Sequence, residues 1–97
     1  MAVNIVIKFL GTFQRLSGKK SINLTFEDQL TVKEVIKRLT EIFPSKFKDA
    51  LLDVHLNFMR PNALVIINGK EISALKGIDT EVQDSSEIVF VPMVHGG

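Results

Sequence analysis

Apolar and polar residues alternate first with a period of two. Val3, Ile5, Ile7 and Phe9 stand against Asn4, Val6, Lys8 and Leu10, which predicts a strand with the first set turned to the core. The second set is only partly polar, so this strand should be central or covered. Gly11 to Lys20 holds Gly11, Ser17, Gly18, Lys19 and Lys20 and reads as a turn-rich connection. Ser21 to Phe26 then alternates strictly, with Ile22, Leu24 and Phe26 inward. The two runs predict an opening β-hairpin.

The period changes at Thr31. Thr31-Val32-Lys33-Glu34 matches a capping box, with Thr31 as N-cap and Glu34 reaching back to its amide. Val32, Val35, Ile36, Leu39 and Ile42 follow at helical spacing, and Pro44 stops the helix near Phe43. Lys33, Glu34, Lys37, Arg38 and Glu41 fill the other face, where Glu34/Arg38 and Lys37/Glu41 are spaced for i,i+4 pairs. Such a face reads as solvated.

From Ser45 to Asn62 the pattern fits a helical turn followed by extended chain, with a short helix expected over Phe47 to Leu52. Ala63 to Ile67 is continuously apolar, and Asn68-Gly69 after it is a strong hairpin signal, returning through Lys70-Glu71-Ile72. Ser73 to Ser86 is polar apart from the small anchors Ile78 and Val82; Glu87 to Val91 is the last strand before Pro92. Strands segregated around one helix indicate an α+β class, in which one sheet face packs on the helix and the other is left for a partner.

Composition narrows the function classes. The 97 residues fit one domain, expected as a folded body over 1–92 and a tail over 93–97. Seven Phe with no Trp or Tyr supply packing material and no polar aromatic handle. Twelve Lys and Arg against eleven Asp and Glu leave a net charge of +1, without the like-charge run that marks a nucleic-acid footprint. No cysteine is present, which excludes disulfides and a cysteine nucleophile. No apolar run approaches the roughly 20 residues of a membrane span, and a cytoplasmic location is expected. His55 and His95 are the only histidines and gather no partners for catalysis or metal binding. Arg60-Pro61-Asn62 reads equally as a contact for an acidic partner or as an ordinary turn. No nucleophile–base pair, phosphate-binding glycine loop or metal cluster marks an independent enzyme.

The chemistry-bearing feature is the end of the chain, Val94-His95-Gly96-Gly97. Glycine has no Cβ, so such a tail passes through a channel too narrow for side chains and carries its carboxylate to a nucleotide. A frayed terminus also tolerates glycine. Pro92, Met93 and Val94 form the stem, either buried by a partner or packed on their own domain.

The element order, the Ile66-Ile67-Asn68-Gly69-Lys70-Glu71-Ile72 hairpin, the Asp84…Glu87-Ile88-Val89-Phe90-Val91-Pro92 stretch and the Val94-His95-Gly96-Gly97 ending together resemble the β-grasp sulfur carriers. These include the small subunit of molybdopterin synthase (MoaD) and the thiazole-synthesis carrier ThiS. The resemblance implies a ubiquitin-like mixed sheet of four to five strands packed on one main helix, with a short second helix. Asp84-Ser85-Ser86-Glu87 departs from the Asp-Gly-Asp-Glu of the molybdopterin branch, which implies an altered turn. The His-Gly-Gly ending also looks like the ubiquitin-related carriers that thiolate tRNA or become conjugated to lysines.

The family mechanism implies that an ATP-dependent adenylating enzyme of the MoeB/ThiF type activates Gly97, and that a sulfur donor turns the adenylate into a thiocarboxylate. Gly96 and His95 belong to the tail required for activation, and Pro92, Met93 and Val94 to the docking stem. No catalytic side chain, metal or bound cofactor is implied, and ATP is used by the activating enzyme. Sulfur would go to a pterin precursor on a larger synthase subunit of the MoaE type, for molybdopterin synthesis. A protein modifier or tRNA-thiolation carrier acting through the same Gly97 is the alternative. An interaction module whose glycines are incidental is a third possibility. No nucleic-acid or membrane partner is expected.

Overall fold

The computed structural model describes residues 2–52 and 63–93. Five strands form one mixed sheet in the order β2-β1-β5-β3-β4. They are β1 (Ala2–Phe9), β2 (Ser21–Glu27), β3 (Ala63–Ile67), β4 (Lys70–Glu71) and β5 (Glu87–Pro92). Three helices accompany them, α1 (Thr12–Ser17), α2 (Val32–Ile42) and α3 (Ser45–Leu51). β1 runs antiparallel to β2 and parallel to β5, while β3 is antiparallel to both β5 and β4. The parallel β1–β5 pair makes first and last strands neighbours and brings both out at the same end of the sheet.

The period-two pattern holds where the sheet is covered. Ile5, Ile7 and Phe9 of β1, Ile88 and Phe90 of β5, and Ala63, Val65 and Ile67 of β3 are buried. They meet Val32, Val35, Ile36 and Leu39 of α2. Five of the described phenylalanines form one cluster: Phe9 meets Phe43 and Phe47 edge-on at centroid distances of 5.5 and 5.6 Å, and Phe13 and Phe90 complete it. Edge-to-face rings at this spacing add packing energy beyond the area they bury.

The opening connection departs from expectation. Gly11–Lys20 is not a simple turn, because Thr12–Ser17 forms α1, capped by Gly18 in the left-handed conformation with its N–H donating to the Gln14 carbonyl at 2.9 Å. A six-residue helix is too short to be stable alone; it forms here because Phe13 is buried and Leu16 packs against the core. Its sequence signals are the Phe13/Leu16 spacing and a glycine one place past the end.

Three smaller corrections have similar causes. Thr31 is the N-cap of α2, but no capping side-chain hydrogen bond forms. Instead the Val32 N–H donates to the Thr80 carbonyl at 3.0 Å and the Val82 N–H to the Leu30 carbonyl at 2.8 Å, so a distant segment satisfies the helix start. Ile42 is 47% exposed and Phe43 takes its place in the core, because the chain leaves the helix at Phe43 in an extended conformation. Ile72 is buried at the start of a 3₁₀ turn, not in the return strand. The short helix expected over Phe47 to Leu52 is present as α3, two residues earlier at its start. The anchors Val82 and Ile78 are buried and partly buried as expected, and the Arg38 guanidinium lies 4.8 Å from the Phe26 ring centroid, where Glu34 was the anticipated partner.

Candidate functional site

The site is assembled at the end of the sheet where β5 delivers its last residues. β5 lies between β1 and β3, the centre of the sheet, and Pro92 closes it opposite Ala63. A proline has no N–H to give to a ladder, so its place at the end of a central strand is the compatible one. Pro92 is half-buried and Met93, the last described residue, is 44% exposed. Gly11 meets Pro92 from the β1 side: its φ is 55°, and a Cβ built there would stand 2.9 Å from Pro92 Cγ. Only glycine fits a positive φ with that close an approach, so Gly11 lets the stem seat against the start of α1.

Val94, His95, Gly96 and Gly97 lie outside the described residues, as do His55 and Arg60-Pro61-Asn62. Upstream, the Asp84–Glu87 turn works without a glycine. Ser85 itself takes a φ of 67°, its N–H donates to the Asn4 carbonyl at 2.7 Å, and Asp84 Oδ1 accepts the Asn4 N–H at 2.8 Å. The Asn68 side chain ties the neighbouring hairpin turn to the same place, with Oδ1 accepting the Glu87 N–H at 2.9 Å. Thus β5 is held at its start by two turns and at its end by Gly11.

Among the described residues nothing covers the sheet face away from α2, as the alternation implied. On β3 and β5 it carries an apolar lane in which Leu64 stands opposite Val91 and Ile66 opposite Val89. Leu10 is 47% and Leu64 38% exposed, and Val89, Val91 and Ile66 are half-buried. The lane is bordered toward β1 by the Lys8–Glu87 ion pair at 2.9 Å and runs toward Pro92 and Met93. Sequence reasoning named the free face and the stem, but not this lane, because it requires knowing that β5 and β3 are neighbours. Among the described residues no cluster of metal-ligating side chains occurs, and no helix is long and apolar enough to cross a membrane.

A five-stranded mixed sheet wrapped around one principal helix, with its last strand central and Met93 exposed just past it, defines a β-grasp domain of the ubiquitin-like class. The family model described as Urm1 (Ubiquitin related modifier) matches residues 4–97, and the chain belongs to that family. It is 27% identical to small archaeal modifier protein 3 of Haloferax volcanii over 95 residues, covering 98% of this chain and 100% of that one. It is 31% identical over 71 residues to an Archaeoglobus fulgidus protein named as a candidate sulfur carrier, covering 72% of this chain and 77% of that one. Among solved structures, the solution structure of the Haloferax volcanii HVO 2177 protein superposes with a TM-score of 0.82 at 27% identity, covering 99% of this chain and 88% of that one. The Amycolatopsis orientalis BexX/CysO complex contains a chain with the same fold, at a TM-score of 0.72 and 20% identity, covering 96% of this chain and 99% of that one. The protein is therefore of the ubiquitin-like modifier and sulfur-carrier class.

Proposed function

We propose that the protein acts through the Gly97 carboxylate, which an ATP-dependent enzyme adenylates and which then either takes up sulfur as a thiocarboxylate or is passed to an amine. The observation that carries this reading is the family match running through to Gly97, on a chain whose final strand is aimed out of the sheet at Pro92 and Met93. A carboxylate is a poor acyl donor because its leaving group would be oxide. Attack of a Gly97 oxygen on the α-phosphorus of ATP expels pyrophosphate and leaves AMP as the leaving group. A sulfur nucleophile attacking the carbonyl carbon then displaces AMP and leaves sulfur at the terminus; a lysine amine doing the same forms an isopeptide. This chain supplies the carboxyl group, a slim approach at Gly96 with His95 before it in the tail, and the docking surface of Pro92, Met93, Val94 and the apolar lane. Activating enzyme and acceptor supply the rest.

Sulfur delivery to a pterin precursor with a larger synthase subunit, for molybdopterin, is one outcome of that chemistry; it rests on the sequence resemblance. The match to the ubiquitin-related modifier family and the relation to an archaeal modifier protein support the tRNA-thiolation or protein-conjugation outcome. Intact-mass analysis of the protein from its own cells, and after incubation with ATP and cell extract, separates them. Replacement of one oxygen by sulfur at Gly97 identifies the carrier, and adducts from Gly97 to lysine identify the modifier. Gly97→Ala and deletion of Gly96 and Gly97 should abolish both products while leaving the melting temperature unchanged. A terminus unmodified in every preparation would overturn the proposal and leave an interaction module.

A further inference from the structure

The net charge of +1 conceals a separation of charge along the sheet. No acidic residue precedes Glu27, whereas Lys8, Arg15, Lys19 and Lys20 do. The fold places Arg15, Lys19 and Lys20 together at the end from which the stem departs, where with Gly11, Gln14 and Gly18 they line an open hollow of about 540 Å³. All three cations are exposed, and none is ion-paired among the described residues. The loop bearing them is shaped from within, since Ser17 Oγ donates to the Lys19 carbonyl at 3.1 Å and accepts the Lys19 N–H at 3.2 Å. α3 packs against α1 and adds Lys46 and Lys48 against the single acid Asp49.

At the opposite end acids form a hollow of their own. Glu27 ends β2, and Asp28, Glu81 and Asp84 line a second hollow that has no basic side chain in its wall. β1 connects the two ends over eight residues, a separation of about 25 Å at the usual rise per residue. That exceeds the screening length of roughly 8–10 Å at physiological salt. A partner approaching one end therefore meets that end's charge and not the molecule's near-neutral total.

Gly11 belongs to the cationic hollow and also touches the stem through Pro92. The positive surface and the end of β5 at Pro92 are thus one feature. We propose that the Arg15–Lys19–Lys20 surface is the electrostatic guide for the tail, taking an acidic rim on the adenylating partner around the entrance that admits Gly96 and Gly97. The proposal rests on the adenylation reading above. Its physical basis is steering: complementary charge at a channel mouth raises the encounter rate and orients the entering end, with little effect on the chemistry that follows.

The test compares two triple variants of equal net charge. One is Arg15→Gln/Lys19→Gln/Lys20→Gln; the other is Lys33→Gln/Lys37→Gln/Lys76→Gln, whose positions are exposed and away from the stem. Carrier-dependent ATP–pyrophosphate exchange is measured with the activating enzyme purified from the protein's own cells, at low and high salt, after circular dichroism has confirmed that both variants fold. The first variant should raise KM for the carrier about 10-fold at low salt with kcat unchanged and a flattened salt dependence; the second should match the parent. Equal behaviour of the two variants, with the parent still adenylated, would overturn the guide and leave the adenylation reading intact. A parent protein that supports no exchange would remove both proposals together.

Discussion

Single residues hold this molecule's strained points, and they are not interchangeable. Gly11 combines a positive φ with a close approach to Pro92, so both its conformation and its missing Cβ are needed. Ser85 has the positive φ of 67° without being glycine. A left-handed residue with a side chain costs about 1–2 kcal/mol, and glycine loses about 0.5–1 kcal/mol more backbone entropy on folding. Ser85→Gly should therefore stabilise the protein by roughly 0.5–1 kcal/mol, read as a higher urea midpoint with an unchanged slope. Destabilisation would show that the Ser85 side chain contributes more than its backbone costs. At this scale the Asp84-Ser85-Ser86-Glu87 sequence announced a departure from the glycine-bearing turn, yet not that serine would occupy the positive-φ position. That depended on the Asn4 contacts, which come from the other end of the chain.

Elements were legible in proportion to their length. α2, with eleven residues, was evident from its 3.6-residue period, and its stop at Phe43 from Pro44. α1, with six, was not, because nothing local outweighs two glycines and a run of polar residues. Helix ends were less legible than helix interiors, as Ile42 illustrates: at ideal spacing it continues the buried stripe, but the helix has already turned out of register with the core. Leu39→Ala should cost about 2–5 kcal/mol, as a fully buried leucine. Ile42→Lys should change stability by less than about 0.5 kcal/mol, as a surface substitution. Equilibrium urea unfolding of the two variants checks both, and a comparable loss for Ile42→Lys would place it in the core after all.

At the scale of the whole molecule, the proposed function rests on faces and ends. The apolar lane of Leu64, Ile66, Val89 and Val91 lies on the uncovered face and leads to the stem. Leu64→Lys should raise KM for the activating enzyme by more than about 10-fold, since a buried charge opposite an apolar partner surface costs well over the 1.4 kcal/mol of a tenfold change. Its melting temperature should stay within a few degrees of the parent, because Leu64 is already 38% exposed. An unchanged KM in ATP–pyrophosphate exchange would remove the lane from the docking surface.

Periodicity determined the strands β1 and β2 and the helix α2, because a residue's preference for core or solvent is written locally and repeats every two or 3.6 positions, and apolar runs between turn signals marked β3 and β5. The Gly96-Gly97 pair on which the proposed chemistry rests was equally plain in the primary structure. Tertiary structure alone decided that β5 runs between β1 and β3, that Gly11 receives Pro92, and that Arg15, Lys19 and Lys20 gather beside the stem while the acids gather at the far end. Those outcomes join residues as distant in sequence as Gly11 and Pro92. Strand order is fixed by which buried faces and backbone edges pair most completely across the folded chain, and no local window contains both partners.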